Sequence, residues 1–114
     1  MNYPKAYNAA ADLVDVHYDA PHADKPAFID PNRTLTYREL VQESNRFANL
    51  CTPYGIARES RLAIIMLDTI AFPTVFWGAI KAGVIPIPLN TLLTTEQYGY
   101  VLSDSRAKAV VVSA

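Results

Sequence analysis

Leu62-Ala63-Ile64-Ile65-Met66-Leu67 is the stretch that decides the fold. Six apolar residues run on without alternation, as in a strand covered on both faces within a parallel sheet. After it, Phe72, Val75, Phe76, Ala79 and Ile80 recur at helical spacing, and Pro73 is tolerated there only near the first turn. Gly83 suits the left-handed conformation that closes such a helix, and Val84–Pro88 reads as the next strand. Thr94 and Gln97 have capping-box spacing ahead of a third helix, which turns Tyr98, Val101 and Leu102 inward. Gly99 weakens that helix by ~1 kcal/mol relative to alanine. Ala109 to Ser113 is a further strand. Strand, helix, strand, helix, strand predicts parallel α/β units joined by right-handed crossovers.

Upstream the elements are shorter. Asn8 to His17 reads as a short helix with Ala9, Leu13 and Val16 on one side, followed by a polar connector from Tyr18 to Lys25. Pro26 to Asp30 and Arg33 to Thr36 read as two strands. Asp30-Pro31-Asn32-Arg33 joins them, with proline at the turn position its fixed φ suits. Thr36 and Glu39 form a second capping box, again T-x-x-E/Q. Behind it, Tyr37, Leu40, Val41, Ser44, Phe47, Ala48 and Cys51 share one helical face, and Pro53 and Gly55 end the helix. The expected fold class is therefore α/β, mostly parallel strands with crossover helices, preceded by a short helix and a hairpin.

Composition agrees. With 51% apolar and 18% charged residues in 114, the chain can build a packed core, and disorder is excluded. A net charge of −1 gives no field that would draw nucleic acid or an anionic membrane. The single cysteine, Cys51, permits no intrachain disulfide. Met1 to Ala11 lacks a signal-peptide pattern, and the apolar stretches around residues 70–80 and 84–89 fall short of the ~20 residues that span a bilayer. The expected setting is cytoplasmic.

Chemistry is hard to find. Gly55, Gly78, Gly83 and Gly99 are scattered, so no glycine-rich loop cradles phosphate, and no G-x-S-x-G elbow exists. Asp12, Asp15, His17, Asp19, His22 and Asp24 could supply metal ligands, but their spacing matches no ligand pattern, and a solvated acidic surface is the preferred reading. Cys51 lies on an apolar face with no histidine near it in sequence, as a small buried hydrophobe would. Lys81, close to a helix C-terminus, suits the helix dipole. Phe72, Phe76 and Trp77 read as core, with an interface role as the alternative for Trp77, which falls off the main apolar face.

Two segments go beyond generic α/β patterning. Leu35-Thr36-Tyr37-Arg38-Glu39-Leu40 resembles the first core motif of adenylate-forming enzymes, L-[TS]-Y-x-E-L. Ile80-Lys81-Ala82-Gly83-Val84-Ile85-Pro86-Ile87-Pro88-Leu89-Asn90 resembles their second, a helix ending K-A-G that leads into a strand ending P-[IL]-[ND]. Asp24-Lys25-Pro26-Ala27-Phe28 resembles the family's lead-in, and the likeness runs from about Ala9 onward. Within the superfamily, Pro88-Leu89-Asn90-Thr91-Leu92-Leu93-Thr94 and Tyr54-Gly55-Ile56 are most similar to bacterial benzoate-CoA ligases. Many relatives carry an arginine at the position of Leu92, which in some aryl-CoA ligases helps bind the CoA nucleotide. No such role is carried over here.

The resemblance implies residues 1–114 are the leading, incomplete subdomain of a large N-terminal domain, with the C-terminal domain absent. It implies a parent that joins a carboxylic acid, benzoate or a related aromatic acid, to CoA by way of an acyl-adenylate. ATP, Mg²⁺ and CoA are the parent's cofactors, and none is expected to bind this chain alone. Alternatives are another adenylate former, such as a fatty acyl-CoA ligase or a peptide-synthetase adenylation domain, or a non-catalytic interaction module. The phosphate loop, acid pocket and mobile lysine of the family match no position here, so no residue is assigned a catalytic, cofactor or metal role. Expected partners are the aromatic acid, the remainder of the polypeptide and, over the incomplete sheet, a second copy of the chain.

Overall fold

A computed structural model describes residues 4–113. Its centre is a parallel sheet of three strands, β3 (Arg61–Ile65), β4 (Ile85–Pro88) and β5 (Ala109–Val112), in the order β4-β3-β5. The apolar run quoted first supplies the middle strand: Leu62, Ala63 and Ile64 are wholly buried. Leu62 pairs with Pro86 and Ala109, and Ala63 with Ile87 and Val110, which sorts the side chains onto two faces. Helix α2 (Tyr37–Cys51) and helix α3 (Ala71–Lys81) cover the face bearing Leu62 and Ile64. There Cys51, Met66, Val75, Ala79 and Val84 complete the main core.

Helix α2 starts where its capping box predicts. Thr36 Oγ1 accepts from Glu39 N at 3.2 Å, and Glu39 Oε2 accepts from Thr36 N at 2.9 Å. Pro73 falls in the first turn of α3, and Gly83 takes φ +76° behind it. The close crossing of α2 and α3 is set by Gly78, where a Cβ would stand 2.8 Å from Phe47 Cβ.

The antiparallel hairpin of β1 (Pro26–Ile29) and β2 (Thr34–Thr36) forms as expected, with a register shift between Pro26 and Phe28. Asp30 organises its turn, its Oδ1 accepting from Asn32 N and Arg33 N at 2.8 and 2.9 Å. Its Oδ2 accepts from Ile70 N at 3.0 Å, which ties the hairpin to the start of α3.

Two expectations need correction. The N-terminal helix is broken at Val14 into α1 (Ala9–Leu13) and a 3₁₀ turn (Asp15–His17), and its inward face is Ala10 and Val14. Leu13 and Val16, expected inside, are 54% and 56% exposed. The cause is Asn8, whose Oδ1 caps α1 at Ala10 N while its Nδ2 donates to Ile80 O at 2.8 Å, fixing how the helix sits on α3. Secondly, helix α4 (Thr95–Ser105) has both bonds of its capping box, but Tyr98, Val101 and Leu102 are only half-buried and none of its residues is fully buried. Tyr98 is held by donating from its hydroxyl to Asn90 O at 2.7 Å. Trp77 is core, as read, packed on a second cluster of Val14, Leu35, Leu40, Val41 and Ile70 between the hairpin, α2 and α3.

Candidate functional site

From β3 the chain crosses to β4 on one side, then returns over β3 to β5 on the other. With both crossovers right-handed, this reversal puts α3 and α4 on opposite faces of the sheet. The loops that leave the adjacent strands β3 and β4 therefore diverge, and open α/β sheets bind ligands in such crevices at the carboxyl ends of strands. Here the crevice is a cleft of about 390 Å³, bordered by Met66, Asp68, Phe72, Leu89, Asn90 and Thr91. Asn90 shapes its rim: its Oδ1 accepts from Leu92 N at 2.8 Å and its carbonyl from Tyr98 Oη. Leu92 projects into solvent beside it.

The cleft's chemistry is limited. Among the described residues, Asp68 is its only charged lining residue, and no cation faces it. A phosphate there would meet a carboxylate, with no lysine or arginine to offset its charge. Helix N-termini can hold phosphate through free N–H groups, and those of α2 and α4 carry side-chain caps, whereas α3 has none. Thr36 and Glu39 cap α2, Thr94 and Gln97 cap α4, and Asp30 takes the Ile70 N–H ahead of α3. Those three backbone N–H groups of Ile70, Arg33 and Asn32 hold the Asp30 carboxyl below its ordinary value of 3.8.

A second, apolar cleft of about 360 Å³ lies between the hairpin and α3, lined by Phe28, Phe72, Phe76 and Trp77 with Asp68 and Thr69. Phe76 and Trp77 meet edge to face, their centroids 5.3 Å apart. Its walls are largely aromatic, and Asp68 is the charged residue among its lining.

The acidic and histidine residues singled out in sequence do not assemble into a metal site: among the described residues no group of three or more potential ligands comes together. They are also not merely solvated. Asp15 receives Lys81 Nζ on both oxygens, at 2.7 and 2.8 Å, tying the 3₁₀ turn to α3. Arg38 Nε donates to Asp24 at 3.0 Å, its guanidinium lies 3.8 Å from Asp19, and Asp12 accepts from Tyr7 Oη. His17 and His22 bond to each other. Sequence reasoning could not see the Asp15–Lys81 and Asp24–Arg38 pairs, whose partners lie 66 and 14 positions apart. Cys51 is buried as expected, and burial pushes its thiol above its ordinary value, away from the nucleophilic thiolate. Among the described residues, no helix is long and apolar enough to cross a membrane.

Known proteins agree with this scaffold. The family model described as "AMP-binding enzyme" matches residues 16–114. The chain is 46% identical over 107 residues to a 4-hydroxybenzoate–CoA/benzoate–CoA ligase of Rhodopseudomonas palustris, covering 94% of the chain and 20% of that protein. It is 45% identical over 114 residues to the benzoate–CoA ligase of Thauera aromatica, covering 99% of the chain and 22% of that protein. A long-chain-fatty-acid–CoA ligase of Mycobacterium tuberculosis is 34% identical over 90 residues, 77% of the chain and 18% of that protein. The crystal structure of a benzoate CoA ligase from Burkholderia xenovorans LB400 superposes with a TM-score of 0.90 at 41% identity, over 96% of this chain and 22% of that one. The chain spans about a fifth of the length of these relatives.

Proposed function

Because the chain belongs to the AMP-binding enzyme family, we propose that it is the leading segment of an ATP-dependent aryl-CoA ligase acting on benzoate or a close aromatic acid. The observation that carries this reading is the gradient of identity. Two ligases named for benzoate reach 45–46%, whereas a fatty-acid ligase reaches 34% over a shorter stretch. In the proposed reaction the acid's carboxylate attacks the α-phosphorus of ATP and pyrophosphate leaves. The CoA thiol then attacks the acyl carbon of the adenylate and AMP leaves.

The described residues do not fit ATP, Mg²⁺ or CoA. Both clefts carry Asp68 without a cation, the N-termini of α2 and α4 are capped by side chains, and among the described residues no set of metal ligands comes together. No step of the reaction is therefore routed through this chain. Its role is mechanical: to supply the first three strands of the sheet and the helices that brace them. Residues 1–114 form the leading subdomain of the ligase's large N-terminal domain, and the catalytic groups reside elsewhere in the complete polypeptide.

The test compares the complete ligase polypeptide with the 114-residue chain, following pyrophosphate release with benzoate, with a long-chain fatty acid and with no acid. Benzoate-dependent release by the complete polypeptide alone is expected. Preference for the fatty acid would overturn the substrate assignment, and benzoyl-CoA formation by the 114-residue chain would overturn its non-catalytic role.

A further inference from the structure

His17 and His22 meet nitrogen to nitrogen, with His17 Nδ1 2.9 Å from His22 Nε2. Both rings also pack on Tyr37, the first residue of α2, at centroid distances of 5.0 and 5.1 Å. The proposed ligase chemistry uses neither histidine. A hydrogen bond at this distance needs one ring nitrogen to donate and the other to accept. A neutral pair meets that need, and so does a pair carrying one extra proton. Two imidazolium rings do not. Two N–H donors would then oppose each other, with centroids 5.0 Å apart, beside the positive end of the α2 dipole.

The charged and titratable groups on the surrounding elements are largely committed. On the 3₁₀ turn Asp15 is held by Lys81 of α3, and Tyr18 lies under the Arg38 guanidinium at 5.1 Å. On the connector Asp19 and Asp24 pair with Arg38 of α2, and Lys25 adds a further positive charge. On α2, Glu39 closes the capping box at Thr36, and Tyr37 is the ring on which both histidines rest.

We propose that the His17–His22 pair is an acid-released latch that holds residues 8–25 against α2 and α3. The latched pair accepts one proton with its bond intact, whereas the released segment accepts two. The released state thus binds more protons in acid, and the latch loses stability as pH falls. Release lifts Val14 off Leu35, Leu40 and Val41 and bares the second core.

The test is amide hydrogen exchange on the 114-residue protein between pH 5 and 7.5, corrected for intrinsic rates. The amides of Val14, Tyr18 and Ala23, bonded to Ala10, Asp15 and Ala20, are expected to lose about tenfold in protection in acid, the scale of one hydrogen bond. Amides of β3 hold theirs. In the double variant His17→Gln/His22→Gln the segment's protection becomes independent of pH. Wild-type protection that ignores pH, or a double variant that loses protection as the wild type does, overturns the latch. If the double variant fails to fold, ¹⁵N spectra of the wild-type imidazoles decide. Loss of the N–H···N bond together with loss of protection at the second proton upholds it, and uptake of both protons with protection unchanged overturns it.

Discussion

The backbone oxygen of Ser44 lies 2.8 Å from the point a Cβ on Gly78 would occupy. At that separation an added carbon must push α2 and α3 apart. Gly78→Ala therefore sets two effects against each other. Alanine in a helix interior gains about 1 kcal/mol of propensity over glycine. Overpacking a tight contact costs about 1–3 kcal/mol, and here the obstacle is backbone plus the Cβ of Phe47, neither of which can swing away. The substitution is expected to destabilise, seen as a lower urea midpoint. A raised midpoint would mean that the crossing is looser than described.

On the same face of α2, Ser44 is buried and its Oγ has no hydrogen-bond partner among the described residues. Removing an unsatisfied buried hydroxyl relieves its desolvation penalty and leaves only a small void. Ser44→Ala is expected to be stabilising by about 1 kcal/mol in chemical denaturation. A loss of that size would point to a hidden partner for the hydroxyl.

Asp30 links pH to the hairpin. Its folded carboxyl lies below 3.8 because the Ile70, Arg33 and Asn32 N–H groups favour the carboxylate. The sign follows from the lowered value: the stabilisation is complete above the ordinary carboxyl value and is lost as pH falls through the folded one. Wild type should exceed Asp30→Asn in urea midpoint at pH 6, with the gap closing below pH 3.8. A gap that persists unchanged at pH 2 would assign the effect to shape instead of charge.

Asp15 and Lys81 are each about 30% exposed, between a surface pair and a buried one. A double-mutant cycle with Asp15→Asn and Lys81→Met should return a coupling of about 1 kcal/mol, at the upper end for exposed pairs. The pair joins elements 66 residues apart, so the coupling should also appear in protection of the amides of α1. Additive single effects would show the two side chains to be independent.

What could be read from sequence was what depends on near neighbours. Both capping boxes act across three residues, and Thr36/Glu39 and Thr94/Gln97 formed as read. The central strand announced itself by its unbroken apolar run, and Gly83 by its place after Lys81. What escaped was set at long range. The rotation of α1 depends on Asn8 reaching carbonyls at Ile80 and Lys81, and no local pattern encodes that. Trp77 reads as core although it falls off the main apolar face of α3, and the sequence does not say which core it joins. A second core receives it once the hairpin and the 3₁₀ turn fold over α3. The cleft at the ends of β3 and β4 follows from strand order, which unalternated strands do not reveal by themselves.

The two oxygens of the Asp30 carboxylate also carry a timing. One bonds Asn32 and Arg33, and the other bonds Ile70, forty positions later. A chain leaving the ribosome N-terminus first can close the hairpin turn before residue 70 has emerged. The acceptor for the start of α3 is then already aimed when that helix emerges, so the direction of synthesis matches the order in which the contacts close.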